Sequence, residues 1–171
     1  MSSLDLHIRL ARPEDDAAIG DLLVAAFETQ YAKKLPEVKY TDERRRELRD
    51  VATKRAQGTV LVGELGGEVV GTVTVYPPGV KLSEAWRPRM ADLRALGVHT
   101  AHFGKGYAQP LLDEAERIAW AWDIDFIGLH VRRGALGVAR LYEKRGWIRA
   151  PEGDLDLLPL GFLEAYAKPR P

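Results

Sequence analysis

The segment GTVLVGELGGEVVGTVTVYPPG, residues 58–79, constrains the fold more tightly than any other part of the chain. Two β-branched runs, Thr59 to Glu64 and Val69 to Tyr76, flank Gly66 and Gly67, and Pro77 and Pro78 close the second run. Side chains branched at Cβ fit a pleated surface, adjacent glycines supply the positive φ angles of a tight turn, and proline cannot extend a hydrogen-bonded ladder. A β-hairpin follows. An isolated hairpin is marginal in water, so further strands must join it. The run LRALGV, Leu93 to Val98, supplies a third, and Gly97 inside it predicts either a bulge or a close approach of another group to the backbone.

Around this central group the chain alternates between the two periodicities. LHIRL begins as a short strand, and Pro13 with three acidic residues opens a helix expected over Pro13 to Glu28, where Ala17, Leu22, Leu23 and Phe27 share a face. TQYAKKLPEVKY reads as a loop or broken helix. The polar run from Thr41 predicts one helix that stops at Gly58, with its charges on a solvated face. Beyond Pro110, Leu111, Leu112, Ala115, Ile118, Ala119 and Trp122 form the apolar stripe of an amphipathic helix. DFIGLHV is then a strand, ALGVARLYEKRG a helix, WIRA a short strand and GFLEAYAK the last strand. The expectation is a single domain over residues 1–171 of α/β (α+β) class. Its mixed, mostly antiparallel sheet is flanked by about four helices, with one right-handed strand–helix–strand unit.

The stretch VHTAHFGKGYAQP, between the third strand and the amphipathic helix, is where chemistry concentrates. The first amides of a helix lack intrahelical acceptors and carry the positive end of the dipole, and glycines let an anion approach them. Gly104, Lys105 and Gly106 match only fragments of a Walker loop, and no G-x-G-x-x-G dinucleotide fingerprint is present. From these residues alone, a phosphate cradle and a plain strand–helix turn stay open as alternatives.

LRALGVHTAHFGKGYAQPLLDEAERIAW resembles motif A of the GCN5-related N-acetyltransferases, and GLHVRRGALGVARLYEKRGW resembles the family's motif B. The order of elements matches the family's plan over nearly the whole chain. The resemblance implies the acyl-CoA N-acyltransferase fold and acetyl-CoA as cosubstrate. It implies that Leu96, Gly97 and Val98, with Gly97 at a bulge, pair with the pantetheine arm. Backbone amides of Phe103, Gly104, Lys105, Gly106, Tyr107 and Ala108 would hold the pyrophosphate. Departures from the family pattern fall at Ala101, Phe103, His99, Thr100 and Ala135, and at Pro110, which predicts a distorted first turn or a late start of the helix.

For catalysis, the resemblance places Tyr142 beside the CoA sulfur. A phenol with an ordinary pKa near ~10 is a suitable proton donor to a leaving thiolate. The register implies Asp92 as the general base that relieves the attacking amine of its proton, with Glu84 and Glu28 as weaker alternatives. The acceptor is then a small-molecule amine or a peptide amine. Tyr31, Tyr40, Trp86, Asp154 and Asp156 are candidates to line its pocket. A non-catalytic acyl-CoA-binding module and a nucleotide-binding domain using GKG are the rival readings.

Charge and composition bound the partners. Twenty-five Lys and Arg offset 25 Asp and Glu, which argues against nucleic acid or an acidic membrane surface. No cysteine is present, so disulfides and thiolate chemistry drop out. His99 and His102 have no third ligand nearby, so no metal is expected. No apolar run approaches the ~20 residues of a membrane helix, and a cytoplasmic location is the expectation. A homodimer stays open.

Overall fold

A computed structural model describes residues 5–32, 35 and 40–171. The hairpin forms as read: β2 (Thr59–Leu65) pairs antiparallel with β3 (Glu68–Tyr76) through Gly66 and Gly67, whose φ angles of 56° and 84° make the turn one that L side chains resist. On the far side of β2 lies the edge strand β1 (His7–Leu10), and on the far side of β3 lies β4 (Met90–Val98), three residues longer than the sequence reading. β4 pairs parallel with β5 (Phe126–Arg132), and β5 pairs antiparallel with β8 (Phe162–Pro169). The short strands β6 (Ile148–Arg149) and β7 (Leu155–Asp156) both pair with β8. The eight-stranded sheet is therefore mixed and mostly antiparallel, as the resemblance implies.

Among the described residues five α-helices flank it, where about four were expected. α1 (Asp16–Phe27) begins three residues later than Pro13, because Asp15 is tied to Arg9 at 2.8 and 3.0 Å and to the Arg12 N–H at 2.7 Å, which holds Pro13–Asp15 in a 3-10 turn. A π-helical turn, Glu28–Ala32, follows α1; the rest of TQYAKKLPEVKY, apart from Leu35 and Tyr40, lies outside the described residues. The single helix expected up to Gly58 is two, α2 (Asp42–Arg49) and α3 (Val51–Gln57). Asp50 breaks it by acting as an N-cap: its carboxylate accepts from the Thr53 N–H and hydroxyl at 3.3 and 2.7 Å. The Lys54 ammonium donates to the Glu47 carbonyl at 2.6 Å and so satisfies the end of α2.

α4 (Ala108–Trp120) and α5 (Leu136–Lys144) cover one face of the sheet, and α1 to α3 cover the other. Leu111, Leu112, Ala115 and Ala119 of α4 are wholly buried, each leucine contributing about 1.5–3 kcal/mol. Pro110 is the third residue of α4, where an N–H would have no intrahelical acceptor, so the helix is not delayed beyond it. The distortion is confined to the entrance, where Gln109 N–H reaches Gly106 O at 3.3 Å in a 3-10 fashion.

One irregularity shapes everything that follows. β4 and β5 pair only from Met90 to Asp92 and from Phe126 to Gly128, although both strands continue. Beyond that point β4 stays with β3 up to Val98 and β5 stays with β8 up to Arg132, so the sheet splits open. A β-bulge accompanies the split at Ala95, φ 54°, where two residues of β4, Ala95 and Leu96, face one of β3, Val73. The bulge is thus not at Gly97, which pairs regularly with Thr72. Gly97 is needed for space instead: a Cβ there would lie 3.0 Å from Leu22 and 3.1 Å from Leu23 of α1.

Candidate functional site

The split holds a cleft of about 800 Å³. One wall comes from β4 and the turn into α4. His99 N–H donates to Val70 O on β3 at 2.7 Å, so by strand alternation the N–H and C=O groups of Val98 and Leu96 point away from β3 and into the gap. They are an unpaired sheet edge, and an extended amide-bearing chain can pair with them.

At the end of β4 the chain makes a 3-10 turn, Thr100–His102, capped by His99, whose Nδ1 accepts from the Ala101 N–H at 3.1 Å. Gly104 and Gly106 then adopt φ of 78° and 79°, with open space around their Cα atoms. Backbone conformation, not crowding, is what requires glycine there. Lys105 N–H reaches back to His102 O at 3.4 Å, while the N–H groups of Gly104, Gly106 and Tyr107 meet no protein acceptor among the described residues. Three donors at the positive end of α4, beside an exposed Lys105 ammonium, suit an anion. The Tyr107 ring is buried and packs 5.6 Å from His102, so this residue offers the cleft its backbone. Phe103 and Ala108 border the cleft as well. The residues read as a diphosphate cradle fit one.

Tyr142, on α5, borders the cleft opposite β4 and is 5% exposed. Its ring meets Trp147 edge to face at 5.7 Å, which restrains its rotamer. Ala135 precedes α5 with no side chain to cap it.

The amine side differs from the sequence reading. Asp92 is fully buried and does not border the cleft; burial pushes its carboxyl up to about 7, opposed by Arg94 and the Glu84 N–H and reinforced by Glu84. Its Oδ2 accepts from the Glu84 N–H at 2.8 Å, while Oδ1 has no hydrogen-bond partner among the described residues. Glu84, read as the weaker base, does border the cleft. Its Oε1 pairs with Arg94 at 2.6 Å, and Oε2, buried and without a hydrogen bond, faces His130 Nδ1 at 4.0 Å. Burial pulls Arg94 down, but Glu84 and Asp92 outweigh it and keep it charged. His130 Nε2 donates to Gly153 O at 2.8 Å, since a carbonyl only accepts, and this leaves the lone pair on Nδ1. Burial lowers the pKa of His130, partly offset by the Gly153 carbonyl and by Glu84.

Arg94 and His130 were missed in the sequence. Their signal is strand alternation: Asp92 pairs with Gly128, so residues two further along each strand, Arg94 and His130, return to the same face. The other pocket candidates lie elsewhere. Tyr40 stacks on Phe27 at 5.1 Å, Asp154 is bound by Arg149 at 2.5 and 2.7 Å, and Asp156 is exposed. Trp86 is wedged where a Cβ on Gly153 would stand. None of these four borders the cleft, and neither does Glu28. The side chain of Tyr31 lies outside the described residues. Apolar Phe27, Leu157, Leu160 and Leu163 border the cleft, together with charged Glu43, Arg44, Glu47 and Lys54. Among the described residues no cluster of His, Asp or Glu is arranged to hold a metal, and no helix is long and apolar enough to cross a membrane.

A family model described as "Acetyltransferase (GNAT) family" matches residues 16–147. Solved structures share the fold across nearly their whole length. A GNAT-family acetyltransferase from Staphylococcus aureus Mu50 superposes with a TM-score of 0.74 at 14% identity, covering 96% of this chain and 98% of that one. PaiA N-acetyltransferase from Thermoplasma acidophilum, solved in complex with coenzyme A, gives 0.71 at 17% identity, with 96% and 99% covered. A ribosomal-protein-alanine N-acetyltransferase from Brucella melitensis gives 0.69 at 20% identity, again with 96% and 99% covered. No curated protein sequence matches significantly.

Proposed function

The chain belongs to the GNAT acetyltransferase family, and from that premise we propose that it transfers the acetyl group of acetyl-CoA to a primary amine by direct attack, with both substrates held in the split between β4 and β5. One observation carries this reading: among the described residues, a single cleft is bordered both by the backbone donors of Gly104, Gly106 and Tyr107, which meet no protein acceptor, and by the side chain of Tyr142 on α5. The complex of the Thermoplasma relative with coenzyme A supports the choice of cosubstrate.

The N–H groups of Gly104, Gly106 and Tyr107 hold the diphosphate, and the open edge of Leu96 and Val98 pairs with the amides of the pantetheine arm. That places the thioester beside Tyr142. The amine enters from the side of Phe27 and Leu160. Its lone pair attacks the thioester carbonyl carbon, and when the C–S bond breaks, the Tyr142 hydroxyl gives its proton to the departing thiolate. Asp92 acts in this scheme from beneath the surface, through the Glu84 backbone it anchors, rather than by touching the amine.

The departures at Ala101, Phe103 and Ala135 favour a rival, a binding module of the same fold without catalysis. Calorimetric titration with acetyl-CoA, followed by measurement of CoA thiol release with benzylamine, spermidine and an alanine-terminated peptide, separates the two. Binding with amine-dependent release supports the enzyme, binding without release from any amine supports the module, and no binding of acetyl-CoA sinks both.

A further inference from the structure

The buried ring of Phe27, at the end of α1, is the meeting point of two cations. The guanidinium carbon of Arg44, from α2, and that of Arg132, the last residue of β5, each lie 5.0 Å from its centroid, within reach of a cation–π contact. Both arginines and Phe27 border the cleft, so two positive charges stand in its lining no further apart than twice that distance. Tyr40, which does not border the cleft, stacks on the same ring at 5.1 Å and fixes it. Like charges gathered this closely repel, and an anion held between them relieves the repulsion.

Both cations are open to a ligand. The Arg44 side chain is 26% exposed and Arg132 is half-buried. Arg44 gives Nη1 to Glu47 at 2.6 Å, and its Nη2 donates to nothing among the described residues. A guanidinium carries five N–H donors in a planar fork, so it can hold a carboxylate in addition to a protein partner. The other Lys and Arg that border the cleft are committed within the fold: Lys54 donates to the Glu47 carbonyl at 2.6 Å, and Arg94 pairs with Glu84 at 2.6 Å.

Apolar surface adjoins the two cations. Arg132 lies close against the loop between β7 and β8, where Gly161 lacks the Cβ that would stand 2.6 Å from Arg132 Nη1. That loop brings Leu157 and Leu160 to the cleft, 47% and 51% exposed. It is closed on itself, with the Leu157 N–H donating to Gly161 O at 3.0 Å and the Leu160 N–H to Leu157 O at 2.8 Å, which holds both leucines in place. An apolar group that covers them removes that surface from water. Glu43 and Glu47 border the cleft too, so an amine that arrives with a carboxylate meets charges of both signs.

We propose that the acceptor is an α-amino acid with an apolar side chain. Its carboxylate joins Arg44 and Arg132, its side chain covers Leu157 and Leu160, and its amine is the group acetylated. The inference rests on the acetyltransfer reading above. The nitrogen lone pair forms the bond to the thioester carbonyl carbon, the C–S bond breaks with its electron pair on sulfur, and the proton lost by nitrogen balances the one gained by the thiolate. The products are the N-acetyl amino acid and CoA, with the carboxylate unchanged. An acceptor without the carboxylate leaves two partly desolvated cations without their anion, which is the kind of loss that gives a site its selectivity.

The test compares L-phenylalanine and L-leucine with 2-phenylethylamine and 3-methylbutylamine, which keep the amine and the apolar body but lack the carboxylate. From CoA thiol release by the wild type, kcat/KM for each amino acid should exceed that for its decarboxylated partner by about 30-fold or more, and L-phenylalaninamide should fall with the amines. Arg44→Gln and Arg132→Gln should each shrink this preference about tenfold, with acetyl-CoA affinity by calorimetry within about twofold of wild type as the sign that the fold stands. Equal or better turnover of the decarboxylated amines, or turnover of benzylamine or spermidine but of no amino acid, overturns the inference, requires no variant and leaves the acetyltransfer reading intact. A preference that survives both substitutions overturns the role of the arginines, and L-serine used as well as L-leucine overturns that of the leucines. If no amine of any kind releases thiol, the acetyltransfer reading has failed and the inference falls with it.

Discussion

On the β4–α4 wall of the cleft, the groups that face the cavity are backbone N–H groups of Leu96, Val98, Gly104, Gly106 and Tyr107. At the base of the split, next to where β4 and β5 still pair, stand the side chains of Glu84, Arg94 and His130, brought from a loop, β4 and β5, with Asp92 buried behind them. The first wall depends on conformation, which glycines and strand pairing provide, and tolerates changes of side chain. The second depends on the identity and ionisation of each side chain and on desolvation, which makes it sensitive to single substitutions. Recognition of an invariant cosubstrate suits the first construction, and chemistry on a variable acceptor suits the second.

The comparison is tested most severely at Tyr142, a side chain in the same cleft as the backbone-built wall. Tyr142→Phe should lower kcat by about 10²-fold or more while acetyl-CoA binding, read by calorimetry, stays within about twofold. Turnover unchanged at high pH would show that the phenol donates no proton to the thiolate.

Next in size is Asp92. Its carboxyl is raised from 3.8 to about 7 in the fold. Where both states are protonated, below about pH 4, burial costs nothing through this group. As pH rises from about 4 to about 7, the unfolded chain ionises and the native state resists, so wild-type stability falls by ~1.4 kcal/mol per pH unit from this group, then levels off. Asp92→Asn should remove that slope in denaturant titrations across the range. Parallel stability curves for the two proteins would show that Asp92 is ionised in the native state throughout.

The conformational wall is expected to respond at its glycines. Gly104→Ala and Gly106→Ala each force a side chain into the left-handed region, at about 1–3 kcal/mol of strain when the bound shape is kept, and should weaken acetyl-CoA binding about tenfold or more. The smallest effect belongs to Phe103→Ala, which removes an exposed side chain and leaves its N–H in place. Acetyl-CoA affinity should change less than about threefold, and a larger loss would mean that this wall also binds through side chains.

What was legible in the sequence was whatever local conformation carries. The hairpin showed in its β-branched runs and glycine pair, α4 in its apolar stripe, and the cradle in Gly104 and Gly106 once the flanking motifs gave them context. The break at Asp50 had a local signal too, an N-cap aspartate three residues before Thr53, but the charged run around it masked the boundary. Placing the bulge at Gly97 failed because a glycine marks either unusual φ or lack of space, and only the packing of Leu22 and Leu23 tells which.

The sequence by itself determined the strand and helix periodicities, the turn chemistry and hence the wall made of main chain, because these follow from interactions within a few residues. Tertiary structure alone decided the other wall. The pairing of Asp92 with Gly128, the wedge of Trp86 over Gly128 and Gly153 and the burial that raises the Asp92 pKa join segments tens of residues apart. Desolvation is a property of the assembled surroundings, so a carboxylate and an imidazole that read as ordinary polar residues along the chain have their ionisation shifted once enclosed.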